Sequence, residues 1–327
     1  MTKWMNGFGS NSFSHRLYVL LPVVLICLLE AGCTKEDDYR RQKEELTFTL
    51  TEEIRADSLR SYVTWMQDMG TRFALAENRR YVAAMIRNRF NEFGYHETRL
   101  DSFLMKRTWQ DVEYNLWQYN VIATLRGTEH PDSICVVGAH YDDILGAGNP
   151  FTAAPGANDN ASGVAAALEI ARVLKKHAFA PDCTIEFVAF AAEELGLYGS
   201  WDYAHKADSL GWKIKMMINN DMIAYETAEV ASDWHINIMH YDNSIELCDK
   251  AYELCDKFTI LKSMTDNGVN TRSDSYPFAA NGFPAIFFHV YDSDPYYHTL
   301  DDRVENCSFY YCREVVNISL ALLIELN

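Results

Sequence analysis

Apolar side chains at Leu59, Tyr62, Val63, Met66 and Met69 recur every three or four positions until Gly70 breaks the series, and Val82, Met85, Ile86, Phe90 and Phe93 repeat the pattern up to Gly94. That period belongs to helices with one face against a core. The pattern then changes. Residues 119–125, 133–139, 183–191, 214–220 and 285–290 are short, almost unbroken apolar runs, and helical periods fill intervals at 161–176, near 199–205, at 245–258 and at 315–325. Strands without polar alternation are covered on both faces. The alternation therefore predicts an α/β fold: a mixed, mainly parallel central sheet with helices on both faces, in a single domain over residues 56–327.

The chain opens differently. Residues 17–29 form an apolar run behind His15 and Arg16, too short to span a bilayer comfortably and matching a secretory core segment. Ala31 and Gly32 before Cys33 resemble the processing site of bacterial lipoproteins, so residues 1–32 are expected to be a signal peptide of lipoprotein type and Cys33 a lipidated membrane anchor. An uncleaved N-terminal anchor is the alternative. Residues 33–55, charged and without a clear period, suit a tether. Their T-K-E-D-D run (34–38) resembles the signal that sends some lipoproteins to the outer face of the outer membrane, so the expected location is the cell envelope, periplasmic or surface-exposed.

The formal net charge is −17, and removing residues 1–32, with two basic residues and one acid, leaves −18. Such acidity argues against nucleic acid as a partner. Cys135 and Cys183 sit in apolar strand-like runs, Cys248 and Cys255 are seven apart on a helix and cannot bridge, and only Cys307 and Cys312 are spaced to pair. No CxxC pair suggests a zinc ribbon. The chemistry lies elsewhere.

The acids and histidines fall into register with the strands. His140 and Asp142, in G-A-H-Y-D-D, follow one; Glu193 and Glu194, ending F-V-A-F-A-A-E-E, follow the next; Asp221, in I-N-N-D-M, follows a third. Asp159, in G-A-N-D-N-A-S-G, lies just before a helix, and His298, in Y-Y-H-T-L-D-D, beyond the last strand. Ligand crevices of open α/β sheets lie outside the carboxyl ends of strands. Alone, Asp159 reads equally well as a helix N-cap, Asp221 as a turn cap and His298 as a packed ring. Together, two histidines and three carboxylates suit two divalent ions, with zinc favoured because it accepts mixed nitrogen and oxygen ligands and keeps a position for water. Positions i and i+2 of an extended chain point the same way, so Asp142 is expected to hold the His140 ring by its second nitrogen. Consecutive residues leaving a strand point apart, so Glu194 can bind metal while Glu193 faces the water between the ions.

G-T-R (70–72), N-V-I-A (120–123), G-A-H-Y-D, G-A-N-D-N-A-S-G, A-E-E-L-G-L-Y-G-S, N-N-D-M-I, R-S-D (272–274), G-F-P-A and H-T-L-D-D together resemble, in order, the zinc aminopeptidases of peptidase family M28. The resemblance runs from about Gly70 to the C-terminus. It implies two zinc ions bridged by Asp159, with Glu194 and His298 completing one site and His140 and Asp221 the other. It also implies Glu193 as general base and then acid, Asp142 orienting His140, a cis Asp159–Asn160 bond, and peptides as substrates. Two positions depart from the pattern: Ser275 stands where many members have His, and Asn270 where some secreted members have an oxyanion-stabilising Tyr, a role open to Arg272. The aromatic cluster Phe287, Phe288, Tyr291, Tyr296 and Tyr297 is expected either to line a pocket for an apolar N-terminal side chain or to be core.

The same fold and the H-Y-D and H-T-x-D-D motifs also resemble glutaminyl cyclases, which use one zinc. Those typically carry Trp where this chain has Tyr297, and a longer segment after the acid pair. A catalytically silent binding ectodomain is the third reading, disfavoured because all five expected metal ligands and the base are present.

Overall fold

The computed structural model describes residues 35–327; the expected leader and Cys33 lie outside the described residues. Helix α1 (Lys35–Thr51) occupies most of residues 33–55, and the compact unit of the chain runs Leu46–Asn327. Within that unit Leu50 and Ile54 are buried and Thr47 donates to Glu325 at 3.1 Å. The charged stretch 36–45 hides the helical period, because the residues that pack come only at its end.

Helices α2 (Ala56–Gln67) and α3 (Arg79–Glu92) follow the predicted periods and bury Leu59, Val63, Met66, Val82, Ile86 and Phe90. The sheet contains β1 (Glu97–Trp109), β2 (Val112–Leu125), β3 (His130–His140), β4 (Cys183–Phe190), β5 (Lys213–Asn220), β6 (His235–His240), β7 (Lys262–Met264) and β8 (Ala285–Val290). Their order is β1-β2-β4-β3-β5-β8-β6-β7. The centre, β4-β3-β5-β8, is parallel, as is β6-β7, while β1-β2, β2-β4 and β8-β6 are antiparallel.

The unbroken apolar character of the central strands has the expected cause. Cys135, Val137 and Ala139 of β3, with Ile185, Phe187 and Ala189 of β4, point into the larger core. That core also holds the buried faces of α2, α3, α4 (Ser162–Lys176), α6 (Ile245–Phe258) and α8 (Phe309–Leu326). Val136, Val188, Phe190 and Met217 point the other way, toward Tyr203 and Ala204 of α5 (Tyr198–Leu210) and Phe278 of α7 (Ser275–Ala280). Full burial of one such aromatic or aliphatic side chain is worth about 1.5–3 kcal/mol.

β2 runs longer than the sequence pattern indicated, and its hairpin partner β1 lies outside that pattern altogether. β2 pairs β4 only over Val121–Leu125, so the earlier part of the hairpin rises past the carboxyl edge of β4 as a two-stranded ribbon. Its partly exposed residues, such as Leu104 opposite Trp117, break the apolar run that marks a covered strand. Among the described residues no helix is long and apolar enough to cross a membrane.

Candidate metal centre

Three neighbouring parallel strands, β4-β3-β5, end at one edge, and each delivers a side chain there. β3 ends on His140, β4 is followed by Ala191 and Ala192 and then the acid pair, and β5 by Asp221. Three backbone conformations accomplish the delivery: Ala192 (φ 59°), Met222 (φ 55°) and His298 (φ 56°) lie in the left-handed region. Such conformations cost about 1–3 kcal/mol each and gather where surrounding structure fixes a site.

Asp159 stands between the two histidines. Its Oδ1 is 3.2 Å from His140 Nε2 and its Oδ2 is 3.2 Å from His298 Nε2. On one side His140 Nε2 is 3.5 Å from Asp221 Oδ1; on the other His298 Nε2 is 3.0 Å from Glu194 Oε2. Three groups able to hold an ion result: His140–Asp159–Asp221 and Asp159–Glu194–His298, which share Asp159, and His140–Glu193–Glu194. Glu193 Oε2 lies 3.9 Å from His140 Nε2. All five expected ligands and the expected base are thus brought together, and they line one cavity of about 590 Å³.

The ligand atoms fit cations better than they fit one another. Glu194 Oε1, Asp221 Oδ1 and His298 Nε2 are buried with no hydrogen-bond partner among the described residues. Unpartnered buried carboxylate oxygens are costly unless a cation faces them. The electrostatics agree. Burial opposes charge on His140, yet Glu193 and Asp221 beside it raise its pKa well above the usual imidazole value. His298, likewise buried, is pushed up to about 10 by Asp159 and Glu194. Burial and the neighbouring Asp159 carboxylate push Glu194 up to about 8, and burial lifts Glu193 well above its ordinary range. Asp159 moves the other way: burial resists its charge, but the two imidazoles that face it, His140 and His298, hold its carboxyl below the usual range.

Asp142 meets the His140 ring through its main chain. The His140 Nδ1 contact is to the main-chain carbonyl of Asp142, at 3.2 Å. A carbonyl only accepts, so Nδ1 carries the proton and Nε2 is left to ligate. The Asp142 carboxylate, 3.9 Å from the ring, instead accepts the N–H of Glu193 at 3.0 Å and of Glu194 at 3.3 Å. Two consecutive N–H groups at the sharp turn after β4 leave the ladder together, and the carboxylate gathers both.

Several supporting residues lay inside the quoted motifs without a role. Asp302 accepts the N–H of Asn158 at 2.6 Å and of Asp159 at 3.0 Å. Ser273 donates to Asp221 Oδ2 at 2.6 Å and accepts from Asn219 at 2.6 Å. Asn160, joined to Asp159 by a cis bond, accepts the N–H of Gly163 and donates to Asn220 O. Arg72, fully buried against Asp143, donates to the carbonyls of Tyr141, Pro155 and Gly156 and so ties the loop after β3 to the loop before Asp159. Spacing marks such residues only as motif members, because Asp302, Asn160 and Arg72 act mainly through main-chain groups and Ser273 through Asp221.

The Asn270 side chain donates to His240 O and does not line the cavity, whereas Arg272 does. Of the aromatic cluster, Phe287 and Tyr297 line the cavity, Phe288 is core, and Tyr291 and Tyr296 lie outside the lining. Cys135, Cys183, Cys248, Cys255, Cys307 and Cys312 are free thiols.

A sequence profile described as peptidase family M28 matches residues 120–323, which contain every residue of this cluster. The chain belongs to peptidase family M28. Aminopeptidase YwaD of Bacillus subtilis is 35% identical over 191 residues, 56% of this chain and 38% of that protein. A probable leucine aminopeptidase of Trichophyton verrucosum is 32% identical over 216 residues, 64% of this chain and 56% of that protein. The M28 chain thus spans about half the length of the curated relatives it matches. In fold it is similar to the LapA aminopeptidase of Legionella pneumophila (TM-score 0.71, 23% identity, covering 86% of this chain and 75% of that one). It is similar also to the glutaminyl cyclase of Fimbriiglobus ruber (TM-score 0.68, 17% identity, covering 83% and 95%). Both likenesses are of architecture.

Proposed function

We propose that this M28 chain is a zinc-dependent aminopeptidase that removes N-terminal residues from peptides. The observation that carries the reading is Asp159, whose two oxygens each face a different histidine at 3.2 Å. That arrangement suits two ions, one held by His140, Asp159 and Asp221 and the other by Asp159, Glu194 and His298. When bound, the ions supply Lewis acidity, polarising a peptide carbonyl and acidifying water.

The chain's own groups do the rest. Glu193 is set beside the ligand cluster on a main chain fixed by Asp142, so its carboxylate receives the proton of the attacking water and returns it to the departing amine. Asp302 and Ser273 hold Asp159 and Asp221 in place, and the cavity walls keep the substrate's N-terminal residue out of bulk water. The apolar leader and Cys33 support an envelope location, with the peptidase anchored through a lipid.

The cyclase-like neighbour supports a second reading, cyclisation of N-terminal glutamine with a single zinc. Two complete ligand groups favour hydrolysis. The deciding experiment is metal analysis of the purified chain together with aminoacyl-chromogenic and N-terminal-glutamine substrates. Two zinc ions per chain and hydrolysis abolished in Glu193→Gln at full metal content are expected, the base contributing about 10²–10⁴-fold. One zinc with pyroglutamate as product would establish the cyclase instead.

A further inference from the structure

Six carboxylates line the cavity, Asp159, Glu193, Glu194, Asp221, Asp292 and Asp294, and Arg272 is the single Lys or Arg among the lining residues. Its guanidinium makes no ion pair or side-chain hydrogen bond with any described residue, despite this acidic surround and a net charge of −17. An exposed arginine beside so many acids ordinarily pairs with one. The main chain on either side of it is anchored.

Its N–H is bonded to Val269 O at 2.9 Å, and two residues earlier Asn270 is fastened to His240 O at 3.1 Å and, through its carbonyl, to the Tyr241 hydroxyl. The next residue, Ser273, donates to Asp221 Oδ2 at 2.6 Å. Arg272 is therefore fixed one residue from the ligand cluster, facing the same cavity, with its charge unspent.

We propose that Arg272 selects short peptides by binding the free α-carboxylate of a dipeptide whose other end is at the ligand cluster. This rests on the aminopeptidase reading. An extended dipeptide spans about 7 Å, at about 3.3–3.6 Å per residue. That is the scale of a side chain's reach from a position adjacent to Ser273. A cavity of about 590 Å³ accommodates a ligand of that size. The planar guanidinium matches a carboxylate with two parallel N–H···O bonds, which a neutral amide cannot reproduce. In a longer peptide an amide occupies this place and the pairing is lost.

The test compares kcat/KM of the zinc-loaded full chain for Leu-Gly, Leu-Gly-amide and Leu-Gly-Gly. The free dipeptide is expected to exceed both others by about tenfold, chiefly through KM, as a charge-assisted pair implies. In Arg272→Ala the ratio falls to near one, and Arg272→Lys restores part of it. A wild-type ratio near one overturns the proposal. So does an equal loss of kcat on all three substrates in Arg272→Ala, which would place the guanidinium at the reacting oxygen instead. Calorimetric binding of Leu-Gly and Leu-Gly-amide to Glu193→Gln gives the same comparison without turnover. Equal affinities there overturn the carboxylate assignment. Tenfold tighter binding of the free dipeptide with no hydrolysis of any peptide by the wild type leaves it standing and overturns the aminopeptidase reading alone.

Discussion

The Asp142 carboxylate accepts the main-chain N–H of Glu193 at 3.0 Å, while only its carbonyl, not its side chain, meets the His140 ring. One residue therefore sets the imidazole tautomer through its backbone and the position of the acid pair through its side chain. The division separates two outcomes of mutation. Asp142→Ala leaves the buried N–H groups of Glu193 and Glu194 without an acceptor, at about 1–3 kcal/mol each. Asp142→Asn retains one acceptor oxygen and is expected to lose about half as much. Urea denaturation of the metal-free proteins measures the loss, and turnover falls with it as Glu193 shifts. Unchanged stability with zinc lost from the His140 side would show that the side chain acts on the ring after all.

Chelation should destabilise the chain, and more so as the pH rises. In the metal-free protein Glu194 is raised from 4.5 to about 8 and His298 from 6.5 to about 10. Both groups bind protons more tightly folded than unfolded, so the stability they add is complete at low pH and is lost as the pH climbs through their folded values. On the proposed reading zinc would replace those protons and stabilise by mass action. The difference in Tm between zinc-loaded and metal-free protein is therefore expected to widen from pH 6 to pH 9, and restoration to require two equivalents of zinc. A difference that stays constant over that range would contradict a cluster of this composition.

Arg72 is the buried clamp behind the site. Its guanidinium serves the carbonyls of Met66, Tyr141, Pro155 and Gly156 and faces Asp143 at 3.3 Å, both side chains fully buried. Arg72→Ala strands Asp143 in the interior, which costs about 3–5 kcal/mol. Arg72→Lys keeps the charge but loses the planar fork, so it too should lower Tm and weaken zinc affinity, because Gly156 lies three residues before Asp159. Full stability in the lysine variant would mean that charge alone does the clamping.

Much of this site was legible because the central strands are unambiguous. β3, β4 and β5 carry buried apolar runs that end abruptly: His140 and Glu193 are the first polar residues at the ends of theirs, and Asp221 follows Asn219 and Asn220 at the end of the third. Asp159 and His298 have no such marker: one precedes a helix and the other lies in a loop, and only the ordered motifs joined them to the rest. β1, β6 and β7 escaped notice for physical reasons as well. β1 is an edge strand whose free ribbon exposes Leu104, Lys106 and Thr108; β6 is only six residues long and β7 three, too short for any period to register. The main-chain contact of Asp142 with the His140 ring was hidden for a different reason. The side-chain direction of residues i and i+2 was applied to a segment where the strand has already ended at His140.

Gly163 gives the sharpest test of how the core supports the metal ligands. A Cβ built there would lie 2.0 Å from the Asn220 carbonyl, 2.5 Å from Asn160 Oδ1 and 2.9 Å from the Ala139 Cβ. Each of these neighbours precedes or follows a proposed ligand directly: Asn220 before Asp221, Asn160 after Asp159, Ala139 before His140. Two of the contacts are with rigid groups, a main-chain carbonyl and a Cβ, so rotating the Asn160 side chain relieves only the third. Gly163→Ala must therefore push the first turn of α4 away from β3 and β5, at about 1–3 kcal/mol or more for an overpacked site. Because the displaced atoms are the main chain that carries three ligands, zinc affinity should fall further than global stability does. An alanine variant that melts lower yet binds two zinc ions with unchanged affinity would show that the ligand cluster is positioned by the loops rather than by the packing of α4 on the sheet.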